Sequence, residues 1–418
     1  MWGVEQFRIM GGVPLHGNVC IQGSKNAALP IMAAALLHEG ITVLHGCPKI
    51  DDVFCMEAIL KSLGVVSWWE GNSLFLDCRN VEGTQVAEEF TGKMRSSVIL
   101  LGVLLSRMGE GCIGYPGGCV IGKRPINLHL MLLRKLGARI EEREEGVYAS
   151  ARCLKGCHVV FSFPSVGATE QGILAAVCAR GTTYLHNCAR EPEIWWLQDF
   201  LRKLGARIEG AGTGTIRITG VSRLRDVEYR IPPDRIVAGT YLCAGAATRG
   251  KIVLENCPAG ELEAFLRVYG KMGGQYERNS GTLIADSRKA KLPVAYLETA
   301  VYPGFPTDLQ SPLMAVLAVA RGESCLVENI FDDRYKVAGE LGKMGARICV
   351  HGRTACITGV PELTGCEVTA MELRGGAALV IAGLAAQGET VIHGCSYISR
   401  GYENICQDLC SLGGRIST

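Results

Sequence analysis

The sequence predicts an α/β fold of six repeats, grouped as two lobes of three, with helices buried at the centre of each lobe. Three observations carry this expectation. A short phrase closing on glycine returns six times, a glycine-led strand precedes it at a nearly constant distance, and an alanine-rich helix apolar on most faces precedes each strand.

The phrase reads Leu60-Lys-Ser-Leu-Gly64, Leu133-Arg-Lys-Leu-Gly137, Leu201-Arg-Lys-Leu-Gly205, Tyr269-Gly-Lys-Met-Gly273, Leu341-Gly-Lys-Met-Gly345 and Leu409-Cys-Ser-Leu-Gly413. Its closing glycines stand 73, 68, 68, 72 and 68 residues apart. Each is read as the end of a helix capped by glycine, usually followed by a short strand such as Ala138-Arg-Ile-Glu. About 24 residues before five of these caps a glycine opens a strand: Gly40-Ile-Thr-Val-Leu, Gly181-Thr-Thr-Tyr-Leu, Gly250-Lys-Ile-Val-Leu, Gly322-Glu-Ser-Cys-Leu and Gly388-Glu-Thr-Val-Ile. The second repeat has Gly111-Cys-Ile-Gly instead, 26 residues before Gly137. Ahead of the strands lie apolar helices over 26–37, 95–108, 168–179, 235–248, 308–320 and 373–387, several of them without a polar face, as central helices require. The paired prolines of Tyr229-Arg-Ile-Pro-Pro-Asp-Arg fall between the third repeat and the fourth and suit a crossing between domains. The stretch 7–22 holds strand-like pieces expected to pair with the second lobe.

Composition narrows the function. A chain of 418 residues, 48% hydrophobic, can bury two cores. Its net charge of +2 argues against nucleic acid or an anionic membrane as the main partner. The opening Met-Trp-Gly-Val-Glu-Gln-Phe-Arg lacks the apolar run of a signal peptide, and no apolar run is long enough for a bilayer, so a soluble cytoplasmic protein is expected. Nineteen scattered cysteines without a C-x-x-C pair point to reduced thiols and to no zinc site.

One segment concentrates chemistry. In Gly114-Tyr-Pro-Gly-Gly-Cys-Val-Ile-Gly-Lys-Arg-Pro125 the turn formers Pro116, Gly117, Gly118, Gly122 and Pro125 place Cys119 in a loop. Lys123 and Arg124 follow; they would stabilise a thiolate and offer contacts to phosphate. This suggests an acid/base or nucleophilic thiol beside an anionic substrate; the alternative is a bystander in a cysteine-rich chain.

Seven motifs then occur in order: Gly23-Ser-Lys-Asn-Ala-Ala-Leu-Pro, the Cys119 loop with Leu128-His129, Ser165-Val-Gly-Ala-Thr, Ala189-Arg-Glu-Pro-Glu, Pro233-Asp-Arg-Ile, Phe305-Pro-Thr-Asp-Leu-Gln and Arg400-Gly-Tyr-Glu. Together they resemble the UDP-N-acetylglucosamine 1-carboxyvinyltransferase family of enolpyruvyl transferases, from about Ile9 to the C-terminus. The resemblance implies the enolpyruvyl transferase fold, a two-domain inside-out α/β barrel of six repeats of about 70 residues that closes on substrate. It implies a first lobe over 22–230 carrying the Cys119 loop, and a second over 1–21 plus 231–418 carrying Asp308. The implied reaction moves the enolpyruvyl group of phosphoenolpyruvate to the 3-hydroxyl of UDP-N-acetylglucosamine and releases phosphate. This is the first committed step of peptidoglycan precursor synthesis, serving cell-wall biogenesis, cell shape and division. Neither metal nor organic cofactor is implied, and a monomer is expected.

Residue by residue, Cys119 matches the thiol that protonates phosphoenolpyruvate, can form an adduct with it, and is alkylated by fosfomycin. Asp308 matches the aspartate beside the reacting hydroxyl; an Asp ahead of a buried helix is also a natural N-cap, and it could do both. Lys25, Arg124 and Arg400 match phosphate-binding cations, Lys25 just before an apolar helix whose amides also favour an anion. Arg95, Arg334 and Arg374 match arginines near the reacting centre and the second anionic group. Asn26, Arg95, His129, Ser165, Val166, Gly167, Asp308 and Ile330 match positions that touch the acceptor; without the resemblance, His129 reads as a structural histidine. Arg190-Glu-Pro-Glu193 is read as a rigid turn opening a helix, although the family places Glu191 and Glu193 near the closing loop.

The chain departs from the family pattern at Phe163, where a lysine is frequent, at Val237, where an acid is usual, at Asp332 and Asp333 after Phe331, and at Glu372, where the family has aspartate. These departures leave open a related transferase with another nucleotide acceptor. A shikimate 3-phosphate enzyme would lack Cys119. A catalytically silent paralogue that binds nucleotide sugar would be expected to have lost one of Lys25, Cys119, Arg124, Asp308 and Arg400, all of which are present.

Overall fold

Each repeat is built on a helix with almost no polar face, and the structure, a computed structural model, describes residues 6–117, 121, 122 and 124–418 of it. These helices are α1 (Lys25–Ala35), α2 (Leu100–Met108), α3 (Val166–Ala176), α4 (Arg235–Thr248), α5 (Gln310–Ala318) and α6 (Leu373–Ala385). All 14 residues of α4 and all nine of α5 are buried. A helix satisfies its own backbone, so it can be buried all round without cost in unpaired amides.

Where these helices begin depends on capping. Ser24 accepts from the Ala27 amide, Ser165 from Ala168, Asp234 from Ile236 and Val237, and Glu372 from Arg374 and Gly375, so α1, α3, α4 and α6 start directly after those side chains. The helices expected from Arg95 and from Asp308 begin differently. Neither has a capping side chain, and each enters through a 3₁₀ turn, Arg95–Ile99 before α2 and Thr307–Leu309 before α5. The capping half of the expectation for Asp308 is therefore corrected: the cap positions are Pro306 for the turn and Leu309 for α5, so Asp308 is the N-cap of neither.

The second helix of each repeat, such as Pro192–Leu204, buries one side only and stops at the recurring glycine. Gly64, Gly137, Gly205, Gly273, Gly345 and Gly413 all have left-handed φ, from +83° at Gly413 to +107° at Gly205. A Cβ at Gly205 would meet nothing within 4 Å, so Gly205→Ala isolates the backbone strain. We expect it to lower unfolding free energy by about 1–2 kcal/mol, read as a lower urea midpoint at unchanged slope. In the second repeat the left-handed glycine that precedes the strand is Gly109, which caps α2, and not Gly111. Gly111 lies within Glu110–Ile113, where a Cβ would come 2.8 Å from Leu104 Cβ.

The described residues form six four-stranded sheets. In each, the glycine-led strand has a parallel neighbour on one side. Thus Lys251–Glu255 pairs parallel with His16–Cys20 and antiparallel with Thr282–Asp286. Distant segments complete the sets. Val227–Arg230 adds to Ile41–His45 of the first repeat, and Gln6–Met10 inserts between Glu389–His393 and Arg415–Ser417 of the sixth.

The chain divides into two compact units, each with three sheets and three of the central helices. The first holds 23–117 with Arg124–Pro232, and the second holds 6–22, 121–122 and Pro233–Thr418. In the second unit α4, α5 and α6 pack on one another; in the first, α2 packs on α1 and α3. Strands alternate between buried and more open positions, as in Thr215–Thr219, so the sheets lie outside the helices. Among the described residues no helix is long and apolar enough to cross a membrane.

Candidate active site

In the second unit, the 3₁₀ turn before α5 presents Asp308 to two arginines. Arg334 donates to Oδ1 from Nη2 at 2.8 Å, and Arg374 donates to Oδ2 from Nη2 at 2.9 Å and Nε at 3.3 Å. The arginine side chains are 2% and 3% exposed while that of Asp308 is 26% exposed. The carboxylate therefore remains open to solvent while its cations are locked behind it. Arg374 is fixed further by the Tyr402 hydroxyl, which accepts from Nη1 at 3.3 Å. The Thr240 hydroxyl donates to the Ile236 carbonyl, so the bond between Tyr402 and Thr240, 2.8 Å, is donated by Tyr402. Burial, the largest single effect, works against the charge of Arg374; Asp308, Tyr402 and Asp234 together outweigh it and hold the guanidinium above its ordinary value.

Glu328, fully buried, ties together the segments that carry these groups. Its Oε1 accepts from the Thr299 hydroxyl and from the Ile330 and Phe331 amides, and its Oε2 from the Thr307 hydroxyl beside Asp308. Ile330 is placed through its backbone. Arg400 ends the short helix Ser396–Ser399, half-buried and two residues before Tyr402.

The first unit gathers a different set. Lys25 opens α1, its Nζ 3.1 Å from Oδ2 of Asp52, with Asn26 next to it, half-buried. Arg95 donates to the Pro125 carbonyl at 2.9 Å. Burial first, and then the Arg124 charge, pull the Arg95 guanidinium down to about 10, still cationic at neutral pH. His129 lies on Asn127–Lys135, its Nδ1 in a short hydrogen bond with Gln171 of α3. A Cβ at Gly167 would sit 3.1 Å from the His129 ring, so the N-terminus of α3, with Ser165 and Val166, borders the imidazole. Burial, with Arg95 and Arg124 adding to it, pulls His129 down to about 4, against the opposing Gln171 bond. Arg95 and His129 are thus both pulled down by burial first, with the Arg124 charge adding to it, beside the N-terminus of α3.

A depressed histidine also has a stability consequence. His129 binds its proton more readily unfolded, near 6.5, than folded, about 4. Its contribution is therefore constant above pH ~6.5 and is lost as pH falls toward 4, at up to about 1.4 kcal/mol per pH unit. Histidine NMR titration should find one ring with a midpoint of about 4 that is missing in His129→Gln.

Cys119 and Lys123 lie outside the described residues. Of the same segment, Ile121 and Gly122 group with the second unit, where the Asp333 amide donates to the Ile121 carbonyl at 3.3 Å. The expected turn at Glu191 is present, with Pro192 opening Pro192–Leu204. Glu193 is buried there, and it meets a residue that sequence reasoning missed: Glu170 of α3, whose carboxyl is held well above the usual range by burial, then by Glu193 and Glu191.

The departures find local explanations. Val237 is fully buried in α4. Glu372 caps α6, its longer arm reaching both the Arg374 amide, at 2.8 Å, and the Gly375 amide. Asp332 pairs with Arg353, and Asp333 with Lys336 at 2.8 Å. Phe163 is 45% exposed, and nothing in the structure explains it.

The sequence model of the family described as EPSP synthase (3-phosphoshikimate 1-carboxyvinyltransferase) matches residues 9–409. The chain belongs to this family of enolpyruvyl transferases. Within the family it is 46% identical to UDP-N-acetylglucosamine 1-carboxyvinyltransferase 2 of Caldanaerobacter subterraneus subsp. tengcongensis, covering 98% of this chain and 99% of that one. It is 47% identical to UDP-N-acetylglucosamine 1-carboxyvinyltransferase 1 of Symbiobacterium thermophilum, covering 99% and 95%. Among solved structures it is similar to the enolpyruvyl transferase NikO from Streptomyces tendae, with a TM-score of 0.88 at 25% identity over 99% of both chains. It also shares the fold of EPSP synthase from Acinetobacter baumannii, with a TM-score of 0.74 at 20% identity over 99% of this chain and 100% of that one. An inside-out enolpyruvyl transferase fold accounts for the six outer sheets and buried helices.

Proposed function

We propose that the chain transfers the enolpyruvyl group of phosphoenolpyruvate to the 3-hydroxyl of UDP-N-acetylglucosamine and releases phosphate, the first committed step of peptidoglycan precursor synthesis. The observation that carries this reading is Asp308, half-open and gripped through both oxygens by buried Arg334 and Arg374. That arrangement fixes a carboxylate for the acceptor hydroxyl and sets two cations beside it for an anionic donor. The names of the relatives at 46% and 47% identity favour this acceptor over shikimate 3-phosphate.

The residues divide the work by chemistry. Cys119 supplies the proton to the methylene carbon and is the target of fosfomycin, and Asp308 receives the hydroxyl proton. Lys25, Arg124 and Arg400 hold the phosphate of phosphoenolpyruvate, with Arg95, Arg334 and Arg374 completing its anionic contacts. Asn26, Arg95, His129, Ser165, Val166, Gly167, Asp308 and Ile330 hold the nucleotide sugar. His129 takes part as a neutral ring, and a bound diphosphate should raise its pKa from about 4. The reaction runs in the cytoplasm with a monomeric enzyme and uses no cofactor.

Phosphate release from phosphoenolpyruvate, compared with UDP-N-acetylglucosamine, a second uridine nucleotide sugar and shikimate 3-phosphate, tests the acceptor. Turnover with UDP-N-acetylglucosamine alone is expected. Turnover only with another acceptor would overturn the assignment and direct attention to Phe163.

A further inference from the structure

Independently of the transferase reaction, the sheet of the fifth repeat carries a row of three thiols. Strands Glu323–Val327, Thr354–Thr358 and Arg347–His351 lie side by side, with Cys325 opposite Cys356 and Cys356 opposite Cys349. Ser324, Leu326, Ala355 and Ile357 turn into the core, leaving the cysteines on the outer face. Cys349 and Cys356 are exposed, Cys325 is half-buried, and all three are free thiols.

The ladder determines how near they stand. The Glu328 amide donates to the Arg353 carbonyl at 2.8 Å and the Gly359 amide to Gly322 at 2.9 Å, so those opposed pairs are hydrogen-bonded. Such pairs alternate along an antiparallel ladder. Counting inward from either end makes Cys325 and Cys356 a non-hydrogen-bonded pair, whose Cα atoms stand about 4.5 Å apart. On the other edge, the two-residue turn between His351 and Thr354 makes Cys349 and Cys356 a hydrogen-bonded pair, at about 5.5 Å. Both separations fall inside the disulfide range of roughly 4.4–6.8 Å. Beside this row, His351 Nε2 lies 3.2 Å from Cys349 Sγ and can accept the thiol proton. Burial, then Cys356, pushes the Cys325 thiol above its ordinary value.

We propose that this row is a thiol–disulfide exchange site, entered by a low-molecular-weight disulfide at Cys349 and resting, when oxidised, as a Cys325–Cys356 disulfide. Cys349 gives its proton to His351 and attacks the small disulfide, forming a mixed disulfide and expelling one small thiolate. The Cys356 thiolate then attacks the Cys349 sulfur and expels the second. The Cys325 thiolate attacks Cys356 and frees Cys349 as a thiolate. In sum, two protein thiols are oxidised to one disulfide, and one small disulfide is reduced to two thiols.

Trypsin separates the three cysteines onto peptides 322–334, 348–353 and 354–374. Native protein treated with oxidised glutathione should yield 322–334 joined to 354–374 with loss of two hydrogens, reversed by dithiothreitol. Cys356→Ser should abolish the link, and Cys325→Ser should leave 348–353 joined to 354–374. Cys349→Ser should form the same final link about tenfold more slowly. Only glutathione adducts without a link, a link unaffected by Cys356→Ser, or an unchanged rate in Cys349→Ser would overturn the proposal; circular dichroism of each variant separates these outcomes from misfolding.

Discussion

Asp308→Asn should lower kcat with UDP-N-acetylglucosamine by roughly 10²–10⁴-fold, the range for removing a general base. The amide has the same shape but cannot take the hydroxyl proton. It also turns an N–H₂ group toward a guanidinium. Arg334 and Arg374, 2% and 3% exposed, are then left with an incompletely compensated charge. Removing one partner of such a buried set typically costs about 3–5 kcal/mol; the partial exposure of Asp308 places this case toward the lower end. The melting temperature should therefore fall together with turnover, while fosfomycin labelling of Cys119 should persist in the folded variant. Wild-type kcat in Asp308→Asn would remove the residue from the chemistry.

Cys119→Ala should remove most activity, a loss on the order of 10²–10⁴ for an absent proton donor. Cys119→Asp should retain part of it, because a carboxylic acid can still deliver a proton. Both variants should be indifferent to fosfomycin, the alanine for want of turnover as well as of thiol. Full activity in the alanine variant would show that the proton comes from elsewhere.

The repeat was legible because its signal is local. A glycine forced to positive φ at a helix end, as at Gly205, cannot be exchanged cheaply, so it stays visible as a spaced letter. Helices without a polar face were legible for a similar reason: burial of α4 on all sides leaves no position for charge except at its ends. Helix starts were less legible. Arg95 and Asp308 both look like first residues of helices, yet each lies in a 3₁₀ turn that leads into the helix proper.

The candidate site was legible as motifs and not as partnerships. Lys25 meets Asp52, 27 residues away, and His129 meets Gln171, 42 residues away. Arg374 meets Asp308 across 66 residues. Nothing periodic links such pairs; Lys25 and Asp52 meet through the packing of two helices of the first repeat, and the other two pairs through the packing of separate repeats. Glu328 and Glu170 were missed because a single buried carboxylate leaves no pattern in sequence. The thiol row escaped for the same reason, since strand register and not spacing sets Cys325, Cys356 and Cys349 abreast.

The most direct test of enolpyruvyl transfer follows both products and the thiol in one reaction. The protein is incubated with phosphoenolpyruvate and UDP-N-acetylglucosamine, with and without prior fosfomycin, and phosphate, nucleotide mass and the Cys119 peptide are measured. The account predicts one phosphate released for each nucleotide sugar that gains an enolpyruvyl unit, with both halted by a fosfomycin adduct on Cys119. A fosfomycin adduct on Cys119 without any turnover in the untreated protein would contradict it.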